Sequence, residues 1–322
     1  MAASNLTNLQ VFQRTLETAN TQIIAQYVNA FNAASRGGIV LRGGNNPGDY
    51  NRETLYNLLD AVQLRDINVD DDQAAIALAR SVIGGVKVGY GTKPIRMDEA
   101  LQNWIGRAPG EAGIVTAQQL APAFLAQKLN ASIGACVAAL GTIGTAVVND
   151  IGASTMSLSA LVDTAGKFGD RSQAITCWVM HSHVHTQLVK ANLAQTAAFL
   201  FTFGTVNIGQ DVSGRTFVVS DSPDLIADDG DYFTLGLVPG GIVIEENPGF
   251  RTNMDTRNGG TSIRDTWQAE GTFNLTLKGL KWDEEHGGPS PLLDALIMGT
   301  NWDQIVTSIK DGPGVLVRSA AA

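Results

Sequence analysis

The sequence predicts an α+β fold of elongated proportions, on three observations. An apolar stripe at helical spacing runs from Leu120 to Val147, a strictly alternating stretch covers Thr266 to Gly279, and short buried-type strands alternate with helices between them. The stripe comprises Leu120, Phe124, Leu129, Ile133, Val137, Leu140, Ile143 and Val147. With Thr116 and Gln119 as a capping box, it predicts a helix over about 116–148, roughly 48 Å long. Pro122 stands against the expected first turns, because its ring displaces a helical hydrogen bond. In the alternating stretch Trp267, Ala269, Phe273, Leu275 and Leu277 face the core, while Gln268, Glu270, Thr272, Asn274, Thr276 and Lys278 face outward. A strand over about 266–279 is near 40 Å long. A compact chain of 322 residues is on the order of 50 Å across. A rib and a sheet that each nearly span the molecule suit a tile better than a catalytic globule.

Taken from the N-terminus, residues 5–34 form a polar, helix-prone arm with Leu9, Phe12, Leu16 and Ile23 as anchors. "RGGIVLRGGNNPGDYN" then signals strand ends and turns. Two helix-like pieces follow, "ETLYNLLDAVQLRD" and "DDDQAAIALARSVI", and the glycine-punctuated strand "GGVKVGYGTKPIRM" closes an excursion that leaves the body and returns. Beyond the long helix, "SLSALVDTAGKF" reads as a short helix presenting Leu161, Ala165 and Phe168. "AITCWVM" is apolar throughout, as a strand buried on both faces requires. Ser182 is placed to cap a helix carrying Val184, Leu188 and Leu193. Further strands are expected at Thr216–Val219, Tyr232–Leu237 and Ile242–Glu245, separated by "DSPD", "DDGD" and "VPGG".

Hydrophobic residues make up 44% and charged residues 16%, enough apolar material for a substantial core. The net charge of -9 argues against affinity for nucleic acid through counterion release. Cys136 and Cys177 are the only cysteines, too few for a disulfide framework and both in apolar surroundings. The first residues offer neither a basic start nor an apolar run, so no signal peptide is expected. Ala131–Val148 has the length and lack of charge of a membrane span. Its large side chains nevertheless form one stripe on a background of Gly, Ala, Ser and Thr, the pattern of a helix packed closely on protein, so no membrane partner is expected.

The sharpest chemical candidate is His181, His183 and His185, three of the four histidines. On a strand they would share one face and could hold a zinc ion with one open position, the site of a metal-dependent hydrolase. On a helix they splay. Ser182 favours the helix, and Asp170, Asp221 and Asp224 have no spacing that completes a ligand set, so no metal and no cofactor are expected. Phosphate loops, nucleophile elbows and dinucleotide fingerprints are missing from the sequence. The acidic runs "INVDDDQ" and "ADDGDY" lack the ligand ladder of a calcium loop and read as turns and helix starts.

The ordered set "KFGDRSQAITCWVMHSHVHTQL", "SGRTFVVSDSP", "DYFTLGLVPGGIVI", "TFNLTLKGLKWD" and "NWDQIVTSIKDGPGVLV", with the long helix before it, resembles tailed-bacteriophage major capsid proteins of the Hong Kong 97 fold. Within them it is similar to the branch called major capsid protein 13-like. The resemblance implies an N-terminal arm at 1–35 and an extended E-loop at 36–98. It also implies a P-domain at 99–152 and 256–322, holding the spine helix and long strand, and an α/β A-domain at 153–255. It further implies a non-enzymatic shell protein of the virion, assembled in the host bacterial cytoplasm as hexamers and pentamers around double-stranded DNA that it does not read. Portal, scaffolding and decoration proteins are the implied partners. Inter-subunit contacts are expected from Arg42, Tyr50, Lys87, Tyr90 and Lys93 in the E-loop. Some relatives crosslink a lysine to an asparagine, and Lys87 and Lys93 lie in the corresponding region without a motif that fixes that chemistry. An encapsulin-like compartment shell is the alternative within the fold.

Overall fold

The computed structural model describes residues 2–56, 68, 80–97, 99–191, 198–203, 206–210, 215–257 and 264–321. The chain opens with helix α1 (Ala2–Ala34) and continues through β1 (Ile39–Gly43), β2 (Tyr50–Tyr56), β3 (Arg80–Gly91) and β4 (Ile95–Met97). Helices α2 (Glu99–Arg107) and α3 (Pro109–Ile143) follow, then β5 (Val148–Asp150), α4 (Leu158–Gly166), β6 (Cys177–Met180) and α5 (Ser182–Ala191). Next come β7 (Ala198–Phe203), β8 (Val206–Gln210), β9 (Thr216–Val219), β10 (Tyr232–Leu237), β11 (Ile242–Glu246) and β12 (Arg251–Arg257). The chain ends with β13 (Arg264–Leu277), β14 (Leu280–Trp282), α6 (Leu293–Leu296), β15 (Trp302–Gln304) and β16 (Gly314–Ser319).

The long helix α3 has 35 residues and a length of about 52 Å. It starts earlier than the capping box suggests, because Pro109 occupies the first turn, where a missing N–H costs nothing. Thr116 therefore lies inside the helix, its hydroxyl donating to the Ala112 carbonyl at 2.8 Å. Pro122 is tolerated within the helix, and Gly144, at φ +79°, ends it short of the expected 148. The uncharged stretch that resembles a membrane span is a core helix here, with Ile133 and Leu140 at 0% exposure. Helix α1 lies along α3 and buries Phe12, Leu16 and Phe31. Two expected helices are corrected in part. The first overlaps β2 at 53–56 and the second overlaps β3 at 80–83, where antiparallel pairing of Tyr50–Tyr56 with Arg80–Val86 imposes strand. The rest of both pieces falls outside the described residues, as does "INVDDDQ" apart from residue 68.

Among the described residues the strands form two sheets. The nine-stranded sheet runs β1-β11-β13-β3-β14-β15, with β12 and β4 also on β13 and β2 also on β3. The seven-stranded sheet runs β5-β16-β10-β6-β9-β8-β7. Its central strands obey period two. Cys177, Val179, Val218, Leu235, Leu237 and Leu316 join the core around α3. Their neighbours Trp178, Met180, Phe217, Val219, Val315 and Val317 join a second core with Leu161, Ala165 and Phe168. Gly236 is required where it stands, because an added Cβ would meet the Trp178 ring at 2.5 Å.

Strand β13 alternates as expected over its first half, with Trp267 and Ala269 buried and Gln268 and Glu270 exposed. Over its second half both faces are covered. Asn274, expected outside, is fully buried and exchanges two amide hydrogen bonds with Asn247 at 3.0 and 3.1 Å. Thr276, also expected outside, is 8% exposed.

Candidate functional site

Strand β6 ends at Met180 and α5 begins at Ser182, so the three histidines fall on a helix start and splay. The cap is His181 rather than Ser182. Its carbonyl accepts from the His185 N–H at 3.1 Å and its Nδ1 from the His183 N–H at 3.1 Å, the bond that an N-cap side chain makes. The His181 and His183 rings flank Tyr232, at centroid distances of 5.2 and 5.3 Å. The His185 ring packs on Phe217 at 5.0 Å. Burial pulls the His181 pKa below the ordinary histidine value against the opposing pull of Asp221, 3.6 Å away. Burial alone does the same to His185. Among the described residues no three His, Cys, Asp or Glu side chains converge as a metal set. Expected helix residue Leu193 lies outside the described residues. Cys136 and Cys177 are buried, and burial pushes both thiols up to about 12, so neither ionises at neutral pH.

The five residues expected at inter-subunit contacts separate into three groups. Lys93 is exposed, and Lys87 and Tyr50 are half-buried. Arg42 reaches across its own sheet, its Nε donating to Glu245 at 2.6 Å and its Nη2 to Glu53 at 3.1 Å. Asn51 Nδ2 donates to the second Glu245 oxygen at 2.9 Å, so Glu245 gathers β1 and β2 onto β11. Tyr90 is a correction: at 8% exposure it belongs to the core, because β3 turns its ring inward toward α3. The ring meets Phe124 edge-on at 5.3 Å and Phe273 at 6.0 Å.

Tyr90 is part of a buried polar cluster that joins α3 to the nine-stranded sheet. Lys128, 2% exposed, donates to Glu246 Oε2, and the Tyr90 hydroxyl donates to Glu246 Oε1. The ammonium also stands 4.2 Å from the Tyr90 ring centroid, a cation–π contact in a desolvated setting. Burial lowers the Lys128 pKa, with Glu246 working against it, and burial together with Glu246 raises that of the Tyr90 phenol. The cluster holds no activated nucleophile; chemically it is a strut. A cavity of about 600 Å³ opens beside it between α1, α3 and β1, lined in part by Ile24, Leu125, Ile244 and Phe250. The sequence carried one signal for the strut: Lys128 is the only charged side chain between Glu111 and Asp150. Glu246 carried none, since its role depends on the register of β11.

The chain matches the family described as major capsid protein 13-like (Gp13-like) over residues 8–316. No curated protein matches the sequence. Among solved structures it is similar to the capsid asymmetric unit of cyanophage Pam1, at 10% identity and a TM-score of 0.50, with 86% of each chain covered. A structure from Mycobacterium phage Adephagia gives 11% identity and a TM-score of 0.47, covering 88% of this chain and 89% of that one. The acid-stable capsid of Helicobacter pylori bacteriophage KHP30 gives 9% and 0.47, with 89% of each chain covered. The Pam1 likeness bears on fold alone, and that fold is the Hong Kong 97 type, with the long helix and long-stranded sheet in place. The family match spans almost the whole sequence, and on it the chain belongs to the major capsid protein 13-like family of tailed bacteriophages, structural proteins of the virion capsid.

Proposed function

We propose that the chain self-assembles as hexamers and pentamers into an icosahedral shell enclosing the double-stranded DNA of a tailed bacteriophage. The observation that carries this reading is the family match over residues 8–316. The proportions agree with it: α3 and β13 supply a rib and a long strand of the kind a thin shell needs. In this reading residues 1–35 are the arm, 36–98 the E-loop, 99–152 and 256–322 the P-domain, and 153–255 the A-domain. Assembly takes place in the host bacterial cytoplasm, with portal and scaffolding proteins as partners and a decoration protein on the outer surface. The net charge of -9 fits a container that retains DNA by enclosure rather than by neutralising phosphates. The work is structural, not enzymatic.

Negative-stain microscopy of the expressed protein tests the proposal. Closed shells, or capsomers that close when the cognate scaffold is added, are the expected result. A protein that stays monomeric under every assembly condition would overturn it. Shells that purify with a protein cargo and no DNA from infected cells would favour the compartment alternative.

A further inference from the structure

The two ends of α3 carry apolar patches of opposite charge. Near its C-terminal end, Leu292 is 79% exposed, Met298 54%, and Leu293 and Ile297 37% each. This patch is rigidly mounted. Leu296 is fully buried, Asn301 Nδ2 and Trp302 Nε1 donate to the Ala295 and Leu296 carbonyls at 3.0 Å, and an added Cβ on Gly299 would lie 2.4 Å from the Ala138 carbonyl of α3. Its exposed charge is Asp294, which forms no ion pair among the described residues.

At the other end, α1 crosses α3 so closely that an added Cβ on Gly113 would sit 3.0 Å from the Phe12 carbonyl. Val11 (41%) and Ile114 (45%) stand exposed there. The exposed Arg14 shares the Val11 face of α1, and the exposed Arg107 ends α2, which the Asn8 side chain ties to α1 through the Gly106 carbonyl at 3.1 Å. Glu111 lies at the margin as the one carboxylate of that turn. Along α3, Ile114 and Ala138 are separated by about 36 Å, so one rigid copy cannot bring its two patches together.

We propose that the Leu292–Met298 patch docks on the Val11/Ile114 patch of a second copy of this chain, with Asp294 facing Arg14 and Arg107. Charge complementarity selects the occupant: each copy exposes both an acidic apolar end and a basic apolar end. Such a contact is head-to-tail, and head-to-tail contacts close into rings or extend into filaments. The inference rests on the shell reading for its biological meaning, and its test separates the two.

Leu292→Cys and Val11→Cys variants, mixed and treated with a bis-maleimide, should give a crosslinked dimer, while each variant alone gives little; the native thiols are buried and do not compete. Asp294→Arg, or Arg14→Glu with Arg107→Glu, should lower the assembled fraction about tenfold by juxtaposing like charges, and all three changes in one chain should restore it to within about twofold. Shells that form without the mixed crosslink would overturn the docking and leave the shell reading standing. Crosslinked chains that never close into shells would uphold the docking and overturn the shell reading. Equal assembly of single-end and combined charge variants would also overturn the docking.

Discussion

The central strands of the seven-stranded sheet, β16, β10, β6 and β9, are covered on both faces by their own chain, whereas much of the nine-stranded sheet is covered on one. β6 and β9 are buried at every residue. In the nine-stranded sheet the uncovered face carries Arg42 with Glu245 and Glu53, and Arg251 with Glu270. Strands closed on both sides have no face left for a neighbour. A sheet with one charged face toward solvent keeps surface free for neighbours, and it depends on the buried face for attachment to α3. The contrast therefore puts the stability of the first sheet in two hydrophobic cores, and that of the second in one core and a polar strut.

The most severe way to break this contrast is to empty the two cores separately. Phe168→Ala in the second core and Phe273→Ala in the core around α3 each remove a ring that is at most 1% exposed, at a cost of about 3–5 kcal/mol. Hydrogen exchange should then differ between them. Phe168→Ala should release β6, β9 and α4 first, and Phe273→Ala should release β3 and β13, with β6 affected because its inner face shares that core. Equal loss of protection in β13 for both variants would mean that the two cores act as one.

The strut comes next in size. Lys128→Ala leaves Glu246 without its cation and opens space beneath Tyr90. Removing one partner of a buried pair costs about 3–5 kcal/mol. Glu246 is 33% exposed and can rehydrate, so a loss of about 2–3 kcal/mol is expected. Lys128→Met with Glu246→Gln removes both charges and keeps the volume, and should return to within about 1 kcal/mol of the parent in urea unfolding. A double variant as unstable as Lys128→Ala would make the ion pair, rather than packing, the source of the attachment.

How much of each region could be read in advance follows from the same contrast. The doubly covered strands are continuous apolar runs, and "CWVM" and "TFVV" are legible without any knowledge of what covers them. The alternation of Trp267 and Ala269 is equally local. What escaped was long-range. Asn274 looks like a solvent-facing residue until Asn247 arrives from another loop to satisfy its amide. Tyr90 is expected at an inter-subunit contact from its place in the E-loop, and nothing in the stretch around it says that a lysine on α3 will lie over its ring. The start of α3 is ambiguous in the sequence because two local signals compete: a proline suited to the first turn at 109, and a capping box at 116 that the helix does not use. The histidines were legible as a helix start to within one residue. The cap shifted because a backbone N–H found the His181 ring before the Ser182 hydroxyl.

A smaller effect distinguishes the surface of the seven-stranded sheet. His181 and His185 have pKa values lowered from 6.5 by burial, so the folded state binds their protons less tightly than the unfolded state does. Their contribution is present above about pH 6.5 and is lost as pH falls through that value toward their folded pKa. The melting temperature should decline between pH 7 and pH 5. His185→Gln should flatten that decline, while a change confined to the nine-stranded sheet, such as Arg251→Ala, should leave its slope unaltered. An unchanged slope in His185→Gln would remove that histidine from the account.

The smallest expected effect sharpens the comparison from the edge of the nine-stranded sheet. Arg52 donates two hydrogen bonds to Glu284 Oε1 at 3.0 and 2.7 Å, linking β2 to the loop after β14, and its side chain is 59% exposed. Pairs in that position are screened by water and salt and contribute about 0.2–1 kcal/mol. Arg52→Ala should therefore shift the urea midpoint of the isolated chain only slightly, and less still in high salt. Suppose instead that the substitution costs more than about 2 kcal/mol, well beyond the range of exposed pairs. Exposed ion pairs along the nine-stranded sheet would then be holding the monomer together, and the difference between a closed sheet and an open one would have to be drawn elsewhere. A small loss in the monomer, joined to a large loss in assembled particles, would locate the value of that ion pair between copies rather than within one.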